Sequence, residues 1–152
     1  MIDRDSENVV TKSIVVGQDV ERAFGVWTER INAWWPVGHS ISGDRRTMVL
    51  IEGKVGGRFY ERTSDGVEYE WGRVLVWEPP YYLAYTWYLG SSQEQPTRVD
   101  VRFVSLGGNM TRVEIEHRGP ELIGELWWLN KSRYSTAWDK VLTEYEAVCH
   151  QG

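Results

Sequence analysis

Between Val9 and Gly17 apolar residues alternate, with Val10, Ile14 and Val16 on one face and Thr11, Ser13 and Val15 on the other, which predicts an opening strand. The period then changes. Val20, Ala23, Phe24 and Trp27 recur as one helical stripe, and Asp19 just before them is a natural N-cap. A second short helix is predicted over Ile31–Trp35, ended by Pro36, because the residue before proline is pushed out of helical geometry. Val37–Gly43 reads as a loop. From Thr47 to Arg118 the period is two. Strands are expected at Thr47–Glu52, Arg58–Thr63, Val67–Trp77, Tyr81–Leu89, Thr97–Leu106 and Thr111–Arg118. Turn chemistry separates them at Gly53–Gly57, Ser64–Gly66, Glu78–Pro80 and Gly107–Asn109, with a polar loop from Gly90 to Pro96. Gly72, inside a long strand, marks a bulge or a sharp bend, which leaves open which face of Val67–Trp77 points inward.

The last two strands have the clearest sidedness. Val99, Val101 and Phe103 share a face, as do Val113, Ile115 and His117, while Arg98, Asp100, Arg102, Arg112, Glu114 and Glu116 oppose them. An antiparallel sheet with one wet face follows. Beyond Gly119 the helical period returns: Tyr134, Ala137, Trp138, Val141, Leu142, Tyr145 and Val148 make one stripe of a long C-terminal helix. One strand, short helices, six strands and a long helix describe an α+β domain in which that helix covers the sheet. A length of 152 residues suits a single domain over 1–152 with a core of its own.

Charge narrows the function classes. Seventeen basic against 22 acidic side chains give −5, the wrong sign for a nucleic-acid binder. Cys149 alone makes no internal disulfide, three scattered histidines without ligand spacing argue against a metal site, and no cofactor is expected. The polar start and the lack of a long apolar run lead us to expect a cytoplasmic protein with no membrane span.

Aromatic content is the unusual feature, with nine Trp, eight Tyr and three Phe. So many rings either fill a core or line a cavity. Trp34, Trp35, Trp71, Tyr85, Trp87 and Trp138 are drawn from the short-helix corner, the sheet and the long helix, and are the candidate ligand-binding set. His39, in the loop after Trp-Trp-Pro, and His117, at a strand end, are candidates near the opening. His117 reads first as a strand-end histidine bonded to a loop carbonyl, with a proton donor at the pocket mouth as the alternative. Glu52, Glu61, Glu68 and Glu70 cluster on neighbouring strands, either as an acid–base group or as partners of Arg58, Arg62 and Arg73.

Several segments resemble the activator of heat-shock protein 90 ATPase homologue-like family of the START / birch-pollen-allergen-like (SRPBCC) superfamily. They are Trp34-Trp35-Pro36 with His39-Ser40-Ile41, Glu52 with Gly56-Gly57-Arg58-Phe59-Tyr60-Glu61, Trp71-Gly72-Arg73-Val74, Trp77-Glu78-Pro79-Pro80 and Thr86-Trp87. His117-Arg118-Gly119 and Tyr134, Ala137-Trp138 and Val141-Leu142 continue the likeness to the far end of the chain. The resemblance implies a helix-grip fold: a curved antiparallel sheet of about seven strands wrapped around the terminal helix, with two short helices after the first strand. It also implies that corner, sheet and helix surround one cavity. The function expected is binding of a small apolar or aromatic molecule, with a homodimer left open. The alternatives are an enzyme on the same scaffold (cyclase, dehydratase or hydrolase type) moving protons through His or Glu, and a chaperone-accessory protein.

Overall fold

The computed structural model describes residues 9–92, 94–119 and 125–150. Its elements run β1 (Val9–Val16), α1 (Val20–Thr28), α2 (Ile31–Trp34), β2 (Met48–Ile51), β3 (Arg58–Arg62), β4 (Glu68–Glu78), β5 (Tyr82–Ser92), β6 (Gln95–Gly107), β7 (Met110–Arg118) and α3 (Glu125–Cys149). The seven strands form one antiparallel sheet in the order β1-β7-β6-β5-β4-β3-β2. The first strand thus joins the sheet beside the last. The sheet curls around α3, the helix-grip arrangement. No helix among the described residues is long and apolar enough to cross a membrane.

Local chemistry accounts for the elements. Asp19 caps α1, its carboxylate accepting the Arg22 N–H at 2.8 Å. Trp35 follows α2 with ψ of 131°, the extended geometry that Pro36 demands. Val99, Val101, Phe103, Val113, Ile115 and His117 all face the core, as their alternation requires. On α3 the stripe Tyr134, Trp138, Val141, Leu142, Tyr145 and Val148 is buried, and the Tyr145 hydroxyl donates to the Ala23 carbonyl at 2.7 Å, tying α3 to α1. Trp27 sits at the centre of this packing, with ring centroids 5.0 Å from Trp34 and Tyr145 and 6.3 Å from Trp138.

Two expectations change. The polar loop at 90–96 shortens, because β5 continues to Ser92 and β6 begins at Gln95, with Ser92 and Gln95 paired after an irregularity in register. The inward face of β4 does not follow a simple period of two. Register shifts beside Gly72 and between Val74 and Val76 each insert a residue, so that Trp71, Val74 and Trp77 all turn toward the core at a spacing of three.

Gly72 is required for a steric reason. A Cβ there would overlap the Thr86 carbonyl oxygen of the neighbouring strand. Gly72→Ala is expected to lower stability by about 1–3 kcal/mol, because β4 must move away from β5. Urea denaturation read by circular dichroism checks this; a midpoint equal to wild type would contradict the close approach.

Candidate functional site

A cavity of about 630 Å³ opens between the first half of α3, the loop after α2, and the ends of β5 and β7. Trp35, Trp87, Trp138 and Tyr134 supply aromatic wall, and Leu89, Ala137 and Val141 supply aliphatic wall. Gly38, His39 and Ser40 form the loop side.

The loop is held by two carboxylates rather than by packing. Glu61, fully buried on β3, accepts from the Ile41 and Ser42 N–H groups at 2.7 and 3.1 Å, and from the Ser42 and Thr47 hydroxyls at 2.7 and 2.8 Å. A fifth donor is the Trp71 indole N–H at 3.1 Å. Burial pushes this carboxyl upward, but the donors outweigh it and its pKa falls below the usual range. Asp44 accepts from the Ser64 N–H and hydroxyl and from the Arg46 N–H, and these bonds, that from the Ser64 backbone foremost, lower its pKa to about 2. Within the loop the Trp35 indole N–H donates to the His39 carbonyl at 2.7 Å. The loop side of the cavity is therefore tied to the sheet.

The floor is a continuous polar chain. The Trp138 indole N–H, which can only donate, reaches His117 Nδ1 at 3.0 Å. The neutral ring then carries its proton on Nε2, which donates to Thr97 Oγ1 at 2.6 Å. The Thr97 hydroxyl passes its own proton to the Trp87 carbonyl at 3.1 Å. One chain of bonds links α3 to β7, β6 and β5. Burial lowers the His117 pKa to about 3, so the ring is neutral at physiological pH.

Of the eight residues singled out from the sequence, Trp35, His39, Trp87, His117 and Trp138 meet on this wall. His117 is at the floor and fully buried, not at the opening. Trp34, Trp71 and Tyr85 lie behind the wall. The Trp34 indole donates to the Val26 carbonyl at 2.8 Å, Trp71 serves Glu61, and Tyr85 packs on Phe59 with centroids 5.1 Å apart. Burial holds the Tyr85 hydroxyl protonated. The carboxylate cluster also divides. Glu52 and Glu68 pair with Arg58, Glu68 also pairs with Arg62, and Glu70 pairs with Arg73, while Glu61 turns inward to the loop.

Sequence reasoning did not assign Tyr134, Ala137 and Val141 to a site, although their helical stripe was visible. It also passed over Arg133 and Lys140, which share the cavity flank of α3. Trp127 was missed as well; it is fully buried behind His117, with centroids 5.6 Å apart. His39, half-buried at the mouth, has its pKa lowered by burial and then by the ammonium of Lys140. Among the described residues no three His, Cys, Asp or Glu side chains converge as metal ligands would.

Comparison with known proteins bears on this geometry. Residues 19–145 match the family model described as activator of Hsp90 ATPase homolog 1-like protein. A solved anthrahydroquino-γ-pyrone synthase, Txn09, is 35% identical, with 88% of this chain and 86% of that one covered and a TM-score of 0.57. The self-sacrificing resistance protein CalC of Micromonospora echinospora is 24% identical, covering 93% of each chain, with a TM-score of 0.69. A protein of Arthrobacter aurescens shares the fold at 17% identity and a TM-score of 0.69, over 100% of this chain and 91% of that one. No curated protein matches.

The buried histidine makes stability depend on pH. An unfolded chain takes up a proton near pH ~6.5, whereas the folded one resists until about pH 3. The stability that neutral His117 contributes is therefore complete above the unfolded value and drains as pH falls toward 3. The expected slope is about 1.4 kcal/mol per pH unit from this one group. Denaturation measured between about pH 6 and pH 4 should show it, and His117→Gln should flatten it. An equal slope in the variant would contradict a neutral, buried His117. Glu61 acts lower on the scale: its contribution is lost as pH falls through its depressed folded pKa. Glu61→Ala should cost about 3 kcal/mol at neutral pH by stranding buried donors.

Proposed function

The chain belongs to the activator of Hsp90 ATPase homologue 1-like family, and on that footing we propose that it binds a flat, largely apolar small molecule, aromatic in character, in the cavity between α3 and the sheet. The observation that carries this is the wall itself. Rings from three separate elements surround a volume within the range of ordinary ligand sites, ~300–1,000 Å³. Trp35, Trp87 and Tyr134 offer faces and edges for offset stacking, while Leu89 and Val141 complete an apolar lining. The loop side is tied down by Glu61 and Asp44, so little ordering cost attends binding.

A second reading, catalysis on the same bound molecule, has one specific support: a solved relative at 35% identity is a synthase. On this scaffold His39 is the group for proton transfer. Its imidazole faces the cavity and has no hydrogen-bond partner among the described residues; its lowered pKa leaves it unprotonated as a base. His117 is unsuited, because both of its ring nitrogens are already engaged.

Titration of the protein with anthracenemethanol, a flat neutral probe, tests the binding reading. Calorimetry should give a micromolar Kd, and the probe should quench tryptophan emission. Ala137→Phe, which projects a ring into the cavity from α3, should weaken binding by about tenfold or more. An affinity untouched by Ala137→Phe would place the probe elsewhere, and no heat at all would overturn the reading.

A further inference from the structure

The cavity wall carries a charge pattern opposite to that of the whole chain. With a net charge of −5, an average surface would present acids; among the described residues the wall holds Arg133, Lys140 and two histidines, and no Asp or Glu. Arg133 and Lys140 are seven residues apart on α3, two turns or about 10 Å along one flank, with the small side chains of Thr136 and Ala137 between them. The two cations differ in their engagement. Lys140 is paired with Glu144 at 2.8 Å, one turn further along. Arg133 reaches only the neutral amide oxygen of Asn130, at 3.2 Å, and pairs with no carboxylate among the described residues. This contrasts with the sheet, where Arg58, Arg62, Arg73, Arg98, Arg102, Arg112 and Arg118 each meet an acid.

We propose that the cavity selects planar aromatic molecules bearing an anionic group, a carboxylate or an ionised phenol, which the Arg133 guanidinium anchors at the mouth while the rings lie against Trp35, Trp87 and Tyr134. This deepens the binding reading above and rests on it. The chemistry is complementary at both ends. A guanidinium presents paired N–H donors that match a carboxylate, and a low-dielectric aromatic wall beside it strengthens the attraction. Lys140, at the other end of the strip, adds to the positive field without being free to pair fully. Asn130 holds the Arg133 side chain back against the helix, so that its remaining donors stay available at the rim.

The test compares two probes of one shape, anthracenecarboxylate and anthracenemethanol, by calorimetry on wild type, Arg133→Gln and Arg133→Gln/Lys140→Gln. Wild type should bind the carboxylate about tenfold more tightly than the alcohol, and added salt should reduce that ratio. In Arg133→Gln the ratio should fall toward one. Equal or weaker affinity for the carboxylate in wild type would overturn the proposal while leaving the cavity as an aromatic site. A preference that survives in the double variant would overturn the assignment to these cations. Failure of both probes to bind wild type would overturn the binding reading itself.

Discussion

The run of hydrogen bonds from Trp138 through His117 and Thr97 to the Trp87 carbonyl is the constraint on which the rest of the structure hangs. Each of these groups is buried, and a buried donor or acceptor left unpaired costs about 1–3 kcal/mol. All of them can be paired only when α3 sits at one rotation over β5, β6 and β7. Hydrophobic burial alone would not specify that rotation, because the apolar stripe of α3 is broad and its rings tolerate sliding. The polar chain therefore selects one seat for the helix, and the position of the cavity follows from that seat.

The cavity stays open because the groups around it are already committed elsewhere. Phe59 and Trp71 back the wall, with Trp35 and Trp87 packed on them at 5.0–5.9 Å. The loop that could collapse inward is drawn to β3 by Glu61 and to the β3–β4 turn by Asp44. Arg58 lies over the outer face of Tyr60, 4.0 Å from the ring centroid, which leaves the inner face of β3 to Phe59 and Glu61. A carboxylate saturated with donors thus does for the loop what the neutral histidine does for the helix. Both are polar groups made tolerable in the core by complete pairing.

Much of this architecture was legible in the order of apolar residues. The alternation on β6 and β7, the Asp19 cap, the break at Pro36 and the stripe from Tyr134 to Val148 each reappear. What could not be read was which rings fill and which line. Trp34 and Trp35 are adjacent, yet the backbone turns between them, so that one indole points at the Val26 carbonyl and the other at the cavity. Val74 faces inward together with Trp71 and Trp77, three residues from each, only because two bulges alter the period of β4, and of these only Gly72 left a mark in the sequence. Glu61 resembled its neighbours Glu68 and Glu70 in every local respect. Its difference lies in the long-range approach of the loop at Ile41–Thr47, which no local pattern encodes.

Nine tryptophans give the protein nine indole N–H resonances, a built-in map of where a ligand lies. Nuclear magnetic resonance of nitrogen-labelled protein, assigned by single substitutions and titrated with anthracenemethanol, reads that map directly. The account predicts the largest shifts at Trp35, Trp87 and Trp138, with Trp27 and Trp71 nearly still. Shifts largest at Trp27 or Trp71, or no shift at any indole, would contradict a preformed aromatic site between α3 and the sheet.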